Sequence, residues 1–292
     1  MKNRTFMLWM ILSFVTLLSA NAQICHAEEK QENIRASLII PAPDQVQVLK
    51  LMDGSTMTGR IDSVAATTII FQTSFGTYNL NIATIKNCQT VSDRHMREGV
   101  YWYPNPDRTT GVLFPTGRLL KKDTRSLSLF WFVFPDLEFG LTDNINMGGG
   151  LFWIGHSGLF YLHGKAGGEL IDNVHVAVGG NWFFTEGGRA NFLYTAATWE
   201  IKDASLTACA LRGSADNGDD KGWGLILGGD VRVSRHAALV TESWFMSGAD
   251  RPIMCGGIRF FRERSSVLIS VFNFSSSDGN STWPYLRFCY TF

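Results

Sequence analysis

The chain has 292 residues, 26 basic against 26 acidic side chains, 45% hydrophobic and 13% aromatic residues, 29 glycines, 8 prolines and 5 cysteines. A chain this apolar can bury a core, which excludes whole-chain disorder. Five scattered cysteines exclude a disulfide scaffold, and zero net charge gives no electrostatic reason to expect nucleic acid as a partner.

Residues 1–27 read as a secretory signal peptide. Lys2 and Arg4 precede an apolar run of 13 residues from Phe6 to Leu18, and Ser19, Ala20 and Ala22 follow. The run is shorter than the roughly 20 residues of a spanning helix, and Ala20-Asn21-Ala22 supplies a cleavage site, with Ala27 as the alternative. Gln23 and Ile24 before Cys25 do not fit a lipoprotein signal. Cys88, Cys209, Cys255 and Cys289 show no metal-ligand spacing, so neither a metal nor a cofactor is expected. Beyond the signal no stretch reaches 18 uninterrupted apolar residues, so a membrane span would have to be built from strands.

After a linker over 28–44, residues 45–95 read as a small β domain. Its short alternating runs are broken by Asp53-Gly54 and Ser74-Phe75-Gly76, where tight hairpins are expected. The pattern Leu51-x-Asp53-Gly54-Ser55-x-x-x-Gly59-x-Ile61 resembles SH3-like and Sm-like barrels. That resemblance implies a small curled β barrel and, with a secreted, uncharged domain, a periplasmic spacer or a docking module for a protein partner. A second linker covers 96–107. Composition shifts there: 31 of the 37 aromatics lie from Tyr101 onward, and 25 of the 29 glycines from Gly111 onward.

Residues 108–292 repeat. Glu138, Glu169, Glu200, Asp230 and Arg259 each precede a short polar turn, at spacings of 31, 31, 30 and 29 residues. One hairpin per 30 residues fits strands of about 9–11 residues, the length that crosses a bilayer when tilted. Turns at Asp143-Asn144, Asp172-Asn173, Lys202-Asp203, Ser234-Arg235 and Glu263-Arg264 are short. The opposite ends, Gly155–Gly158, Thr185–Arg189, Gly213–Lys221, Ser247–Arg251 and Ser275–Thr282, are expected to be longer loops, the asymmetry of an outer-membrane barrel. Along 222–233, Trp223, Leu225, Leu227, Val231 and Val233 share one face, and Gly224, Gly228, Asp230 and Arg232 the other. The terminal run puts Leu286, Phe288, Tyr290 and Phe292 on one face and Arg287, Cys289 and Thr291 on the other. A chain ending so resembles the last strand of outer-membrane barrels. That resemblance implies Phe288, Tyr290 and Phe292 as a signal to the barrel assembly machinery, and outer-membrane lipid as the surroundings.

Counting back from Phe292 gives eleven strands, the earliest over Leu127–Leu141, and a twelfth is expected at Gly111–Leu120, with ten as the alternative. The fold class is thus all-β: a small SH3-like barrel, then an antiparallel up-and-down transmembrane barrel. Asn105-Pro-Asp-Arg-Thr-Thr, Phe114-Pro-Thr-Gly-Arg-Leu-Leu-Lys-Lys122 and Gly140-Leu-Thr-Asp-Asn-Ile-x-Met-Gly-Gly-Gly150 resemble a widespread uncharacterised bacterial β-barrel family, which implies no activity.

Alternation points Glu138, Glu169, Glu200, Asp230, Arg232, Arg259 and Arg287 into the lumen. Charges in a confined, low-dielectric space persist when paired, so a salt-bridged network that narrows the pore is expected, with an ion-selectivity ring as the rival. His163 and His175 also fall on lumenal faces. His156-Ser157 invites comparison with barrel hydrolases, but nothing in the sequence fixes a nucleophile–base geometry. Asp216-Asn-Gly-Asp-Asp220 resembles part of a calcium loop and lacks its final ligand. The functional expectation is a non-enzymatic structural or narrow-channel barrel with no catalytic residues. The alternatives are an outer-membrane lipid hydrolase and a soluble periplasmic β protein.

Overall fold

The computed structural model describes residues 34–93, 96–97, 99–154, 157–215, 222–276 and 279–292. The signal peptide, His156 and Asp216–Asp220 lie outside them. The chain forms two compact units, one ending at Trp102 and one running from Tyr103 to Phe292. Among the described residues no helix is long and apolar enough to cross a membrane, which says nothing of strands.

In the first unit a single helical turn, α1 (Ile34–Ser37), precedes β1 (Gln45–Leu51), β2 (Thr56–Val64), β3 (Thr68–Thr73), β4 (Gly76–Asn81) and β5 (Ile85–Ser92). The sheet order is β4-β3-β2-β1-β5, so the last strand returns to pair antiparallel with the first. Leu49, Ile61, Ile69, Phe71, Ile85 and Cys88 form the core, with Leu38 beyond α1 packed onto it. The first hairpin turns at Asp53, whose carboxylate accepts from the Ser55 amide at 2.8 Å and hydroxyl at 2.7 Å, while Gly54 takes φ +86°. Gly59 is required for space: a Cβ there would overlap the Gln72 carbonyl of the neighbouring strand. Arg60 gathers the carbonyls of Pro41, Ala42, Pro43 and Gln45, pinning the segment before β1 to β2. A two-residue ladder, β6 (Met96–Arg97) with β7 (Val100–Tyr101), follows.

The second unit is a closed antiparallel barrel of twelve strands. They are β8 (Arg125–Phe130), β9 (Phe134–Thr142), β10 (Ile145–Ile154), β11 (Ser157–Ile171), β12 (Val174–Thr185), β13 (Gly188–Ile201), β14 (Ala204–Ala215), β15 (Gly222–Ser234), β16 (Ala237–Met246), β17 (Ile253–Phe261), β18 (Ser265–Ser276) and β19 (Gly279–Thr291). Closure comes from β19 pairing with β8, Arg287 opposite Phe130 through Thr291 opposite Ser126.

The number of strands is the expected twelve, but two of them are not where the sequence placed them. Leu127–Leu141 is a hairpin rather than one strand: β8 and β9 meet at Trp131 and Phe132, both with positive φ (45° and 61°). Gly111–Leu120 is not a strand of the wall. It lies in a segment, Tyr103–Thr124, that folds back inside the barrel, touching the wall from within. The chemistry of that segment explains the difference. Pro104, Pro106 and Pro115 donate no backbone hydrogen bond, and Gly111 and Gly117 sit where a side chain would strike the wall. The loop asymmetry is also smaller than expected. Pairing of β12 with β13 persists to Thr185 opposite Gly188, and that of β18 with β19 to Ser276 opposite Gly279, because the strands extend further before turning.

The alternation is inside-out relative to a soluble protein. Facing outward are Leu193 at 57% exposure, Leu206 at 57%, Trp223 at 62% and Ile269 at 52%; facing inward and nearly inaccessible are Arg259 at 1%, Glu242 at 3%, Lys165 at 6% and Glu138 at 7%.

Candidate functional site

The lumen is the candidate site, and its centre is the inward-folded segment. Both its ends lie at one end of the barrel, where the short turns and Phe292 are. Arg232 donates to the Tyr103 carbonyl at 2.8 Å, the Tyr103 hydroxyl meets His236 Nδ1, and Thr291 donates to the Pro106 carbonyl at 3.2 Å. At the other end of the segment the Asp123 and Thr124 backbones pair with Gly140, and the Lys122 amide donates to Asp143. Between them the chain makes a narrow hairpin: the Thr116 amide donates to the Thr109 carbonyl at 3.0 Å and the Gly111 amide to the Phe114 carbonyl at 2.9 Å.

Each side of this hairpin carries a charge that meets the wall. Asp107, 1% exposed, sits between two arginines: its Oδ1 is 2.9 Å from Arg287 Nη2 and its Oδ2 is 3.5 Å from Arg259 Nε. Arg259 also donates to the carbonyls of Asp107 at 2.8 Å, Thr110 at 3.2 Å and Gly111. On the return limb Arg118 donates to Glu200 at 2.7 Å and lies 3.6 Å from Asp230, which also accepts from Ser205. The Gly117 amide donates to Thr198 Oγ1 at 2.9 Å, and no Cβ fits there because the His175 carbonyl occupies its place.

At the tip, Glu242 of β16 accepts from three consecutive backbone amides, Val112 at 2.5 Å, Leu113 at 3.2 Å and Phe114 at 3.3 Å, and from Trp244 Nε1 at 3.0 Å. A side chain on Gly111 would collide with that carboxylate. Lys165 of β11 lies 3.7 Å from Glu138 and donates to the Thr109 carbonyl at 3.1 Å. Glu138 also accepts from Thr109 and Asn146.

Beyond the tip the lumen is filled with rings. Contacts run from Tyr161 to Phe183, Phe192 and Phe114 of the hairpin tip, then to Trp244, Phe272, Tyr285, Trp131, Phe134 and Phe152, with centroids 3.7–6.3 Å apart; Phe114 and Trp244 meet edge-on at 5.0 Å. These rings come from strands on all sides of the barrel, so they form a layer across it. On its flank Asp136 accepts from Tyr161 at 2.8 Å and lies 3.0 Å from His163 Nε2, while His175 is 3.5 Å from Glu200.

Of the seven charges expected in the lumen, the structure brings Glu138, Glu200, Asp230, Arg232, Arg259 and Arg287 onto the inward-folded segment or its immediate partners. The acids and arginines do not meet one another as expected. Asp107 takes both arginines, Arg118 takes Glu200 and Asp230, and Lys165 takes Glu138. Glu169 stands apart at the rim, exposed, where it accepts from the Asn173 amide of its own turn at 2.8 Å. Phe288, Tyr290 and Phe292 face outward, the last two rings 4.9 Å apart. The sequence reading missed Asp107, Arg118, Lys165 and Glu242. For Lys165 and Glu242 the signal was present: they share the inward parity of His163 and of Val240 and Trp244. Among the described residues no three metal-ligating side chains converge, and Cys88, Cys209, Cys255 and Cys289 are buried free thiols. The expected His156-Ser157 pair falls on side chains outside those described.

No family model and no curated protein matches the chain. Among solved structures it is similar to the NanC porin, with 10% identity over 57% of this chain and 97% of that one (TM-score 0.44), and to Omp33 of Acinetobacter baumannii, with 11% identity over 58% and 96% (TM-score 0.39). It is also similar to LpxR from Salmonella typhimurium, with 7% identity over 58% and 99% (TM-score 0.35). These neighbours include porins and others, so the functional reading rests on the lumen and the wall themselves.

Proposed function

We propose that the chain is an outer-membrane β-barrel with no enzymatic activity, a narrow channel held shut by its own residues 103–124. The observation that carries this reading is the inversion of the barrel: large apolar side chains stand exposed on its outer face while paired charges fill its interior. In water such a surface is a severe aggregation liability, and in a bilayer it is the solvent-matched face. In this reading the lumen is obstructed by the ion-paired hairpin in the half near the short turns, whose tip ring, Phe114, also ties together the layer of rings beyond it, so solute passage requires the hairpin to withdraw.

The first unit is the periplasmic portion in this reading, a docking module of SH3-like type. The outward aromatics Phe288, Tyr290 and Phe292 serve as the signal for assembly, and the charges on the inner wall are a latch for the hairpin.

The test combines localisation with conductance. The full chain is expected in the detergent-extracted outer-membrane fraction, with faster gel mobility unboiled than boiled, and near-silent in planar bilayers. Deleting residues 105–120 is expected to leave the mobility shift intact and to produce stable conductance steps. Silence of a correctly folded deletion variant would refute the channel reading. A protein released by carbonate without detergent would refute the membrane reading.

A further inference from the structure

The outer wall holds a groove that the lumen does not explain. It crosses β10 to β14 on the outward face of the wall, is open to the outside, has a volume of about 900 Å³, and is walled almost entirely by apolar atoms. That size is in the range of small-molecule sites, about 300–1,000 Å³.

Strand register builds it. Met147 stands opposite Gly164, Gly164 opposite Gly180, Gly180 opposite Leu193, and Leu193 opposite Arg212, one continuous row on the outward face. A parallel row runs through Ile145, Ala166, Val178, Thr195 and Ala210, small at three of its five places, and Leu162 and Trp182 form a raised side. Because strands in a barrel are tilted, a row along the hydrogen bonds runs obliquely up the wall. The groove therefore starts near Ile145, the first residue of β10 beside a short turn, and ends near Arg212, three residues from the opposite end of β14. Arg212 is exposed, faces outward and makes no ion pair among the described residues. An exposed guanidinium with no ion pair among the described residues, at the end of a narrow apolar trough, matches a molecule with a long apolar tail and an anionic head.

We propose that this groove holds one lipid with a net-anionic phosphate headgroup, its acyl chain along the Gly164–Gly180 floor and its phosphate on Arg212. The inference rests on the membrane-spanning reading of the barrel. A guanidinium pairs with phosphate through charge-assisted, bidentate hydrogen bonds, and a small-residue floor lets a chain lie closer than a smooth wall would.

Native mass spectrometry of the full chain in neutral detergent, titrated with phosphatidylglycerol or with phosphatidylcholine of the same chains, tests it. One phosphatidylglycerol is expected to stay bound about five-fold more tightly than phosphatidylcholine, the effect of about one basic side chain on an anionic lipid. Arg212→Gln should remove that preference and leave weak binding of both. Gly164→Leu should abolish both, and the wall accommodates it, since the nearest atoms to a Cβ there are 3.6 and 3.8 Å away. Equal retention of the two lipids by the unaltered chain, or undiminished binding by both variants, would overturn the proposal. So would a monomer–dimer shift in Gly164→Leu, which would make a second copy the occupant. Heat-modifiable mobility of each variant, measured alongside, separates failure of the groove from failure of the barrel.

Discussion

Asp107 is the residue whose loss should cost the hairpin most. It is a single carboxylate serving two guanidiniums, and all three groups are nearly inaccessible, with side chains 1%, 2% and 4% exposed for Asp107, Arg259 and Arg287. Removing one member of a buried pair leaves an uncompensated charge, at a cost of about 3–5 kcal/mol. Arg259 keeps its donations to the carbonyls of Asp107, Thr110 and Gly111, and Arg287 keeps Ser128 at 3.0 Å. These retained bonds put Asp107→Asn at the lower end, about 3 kcal/mol. Equilibrium urea unfolding of the full chain in lipid vesicles, followed by tryptophan fluorescence, reads the loss, and planar-bilayer recording reads the loosened hairpin as intermittent conductance. Replacing the whole cluster should then recover part of the stability, since the carbonyls of Asp107, Thr110 and Gly111 lose their Arg259 donor. In Asp107→Asn with Arg259→Met and Arg287→Met no charge is left unpaired, and buried ion pairs exchanged for apolar side chains of similar volume are often neutral or better. If Asp107→Asn lies within about 0.5 kcal/mol of the unaltered chain, the range of a substitution at an unimportant site, the latch argument fails. It fails equally if the triple variant is no more stable than the single one.

Three further substitutions or titrations probe other parts of the same reasoning. Glu242→Gln keeps the shape but offers one acceptor oxygen to three amides and an indole, so a loss of about 1.5–3 kcal/mol and altered Trp244 emission are expected on urea unfolding. Gly117→Ala drives a methyl into the His175 carbonyl, which should cost about 1–3 kcal/mol by overpacking and appear as raised channel noise with an intact gel-mobility shift. In the first unit, burial pushes the Cys88 thiol up to about 11 from an ordinary value of 9.0. Its protonated form is the one the fold favours, so the stability it contributes is complete below about pH 9 and falls as pH rises toward 11, by about 1.4 kcal/mol per pH unit. Protease sensitivity of the first unit, measured in the full chain from pH 8 to 11, should rise over that window and stay flat in Cys88→Ala.

Period-two patterning made most of the wall legible. The inward and outward faces of β12, β15 and β19 follow directly from alternation, because a strand one residue out of register would put Arg287 or Asp230 into the outer face. What alternation could not show is a segment that obeys no sheet at all. Gly111–Leu120 has a strand's length and sits where a twelfth strand was wanted, so a count by periodicity absorbs it. The contrary signals were chemical: three prolines within Tyr103–Thr124 and glycines at the points of closest approach. Trp131 and Phe132 hid the β8–β9 turn for the opposite reason. A turn built from aromatics, held by the Trp131 amide on the Leu286 carbonyl at 2.8 Å and its indole on Pro284, carries none of the glycine, asparagine or aspartate that usually marks one. The pairing of lumenal charges was beyond alternation too, since parity says which residues face inward and not which of them meet.

The width of the barrel explains why the chain folds into its own lumen. An interior of about eight strands can be filled by side chains alone, and one of sixteen or more holds a water channel. Twelve strands fall between, too wide for the wall's side chains to meet and narrow enough for one hairpin to bridge them. The inner wall carries glycines at Gly148, Gly150, Gly179 and Gly257, where the neighbouring backbone or a ring of the wall takes the place of a Cβ. Residues 103–124 occupy the lumen with a backbone whose amides and carbonyls satisfy Glu242, Lys165 and Arg259. Those three wall charges make sense as a set only with the hairpin in place. Without it they would need water, and a lumen that admits water at their level is a pore.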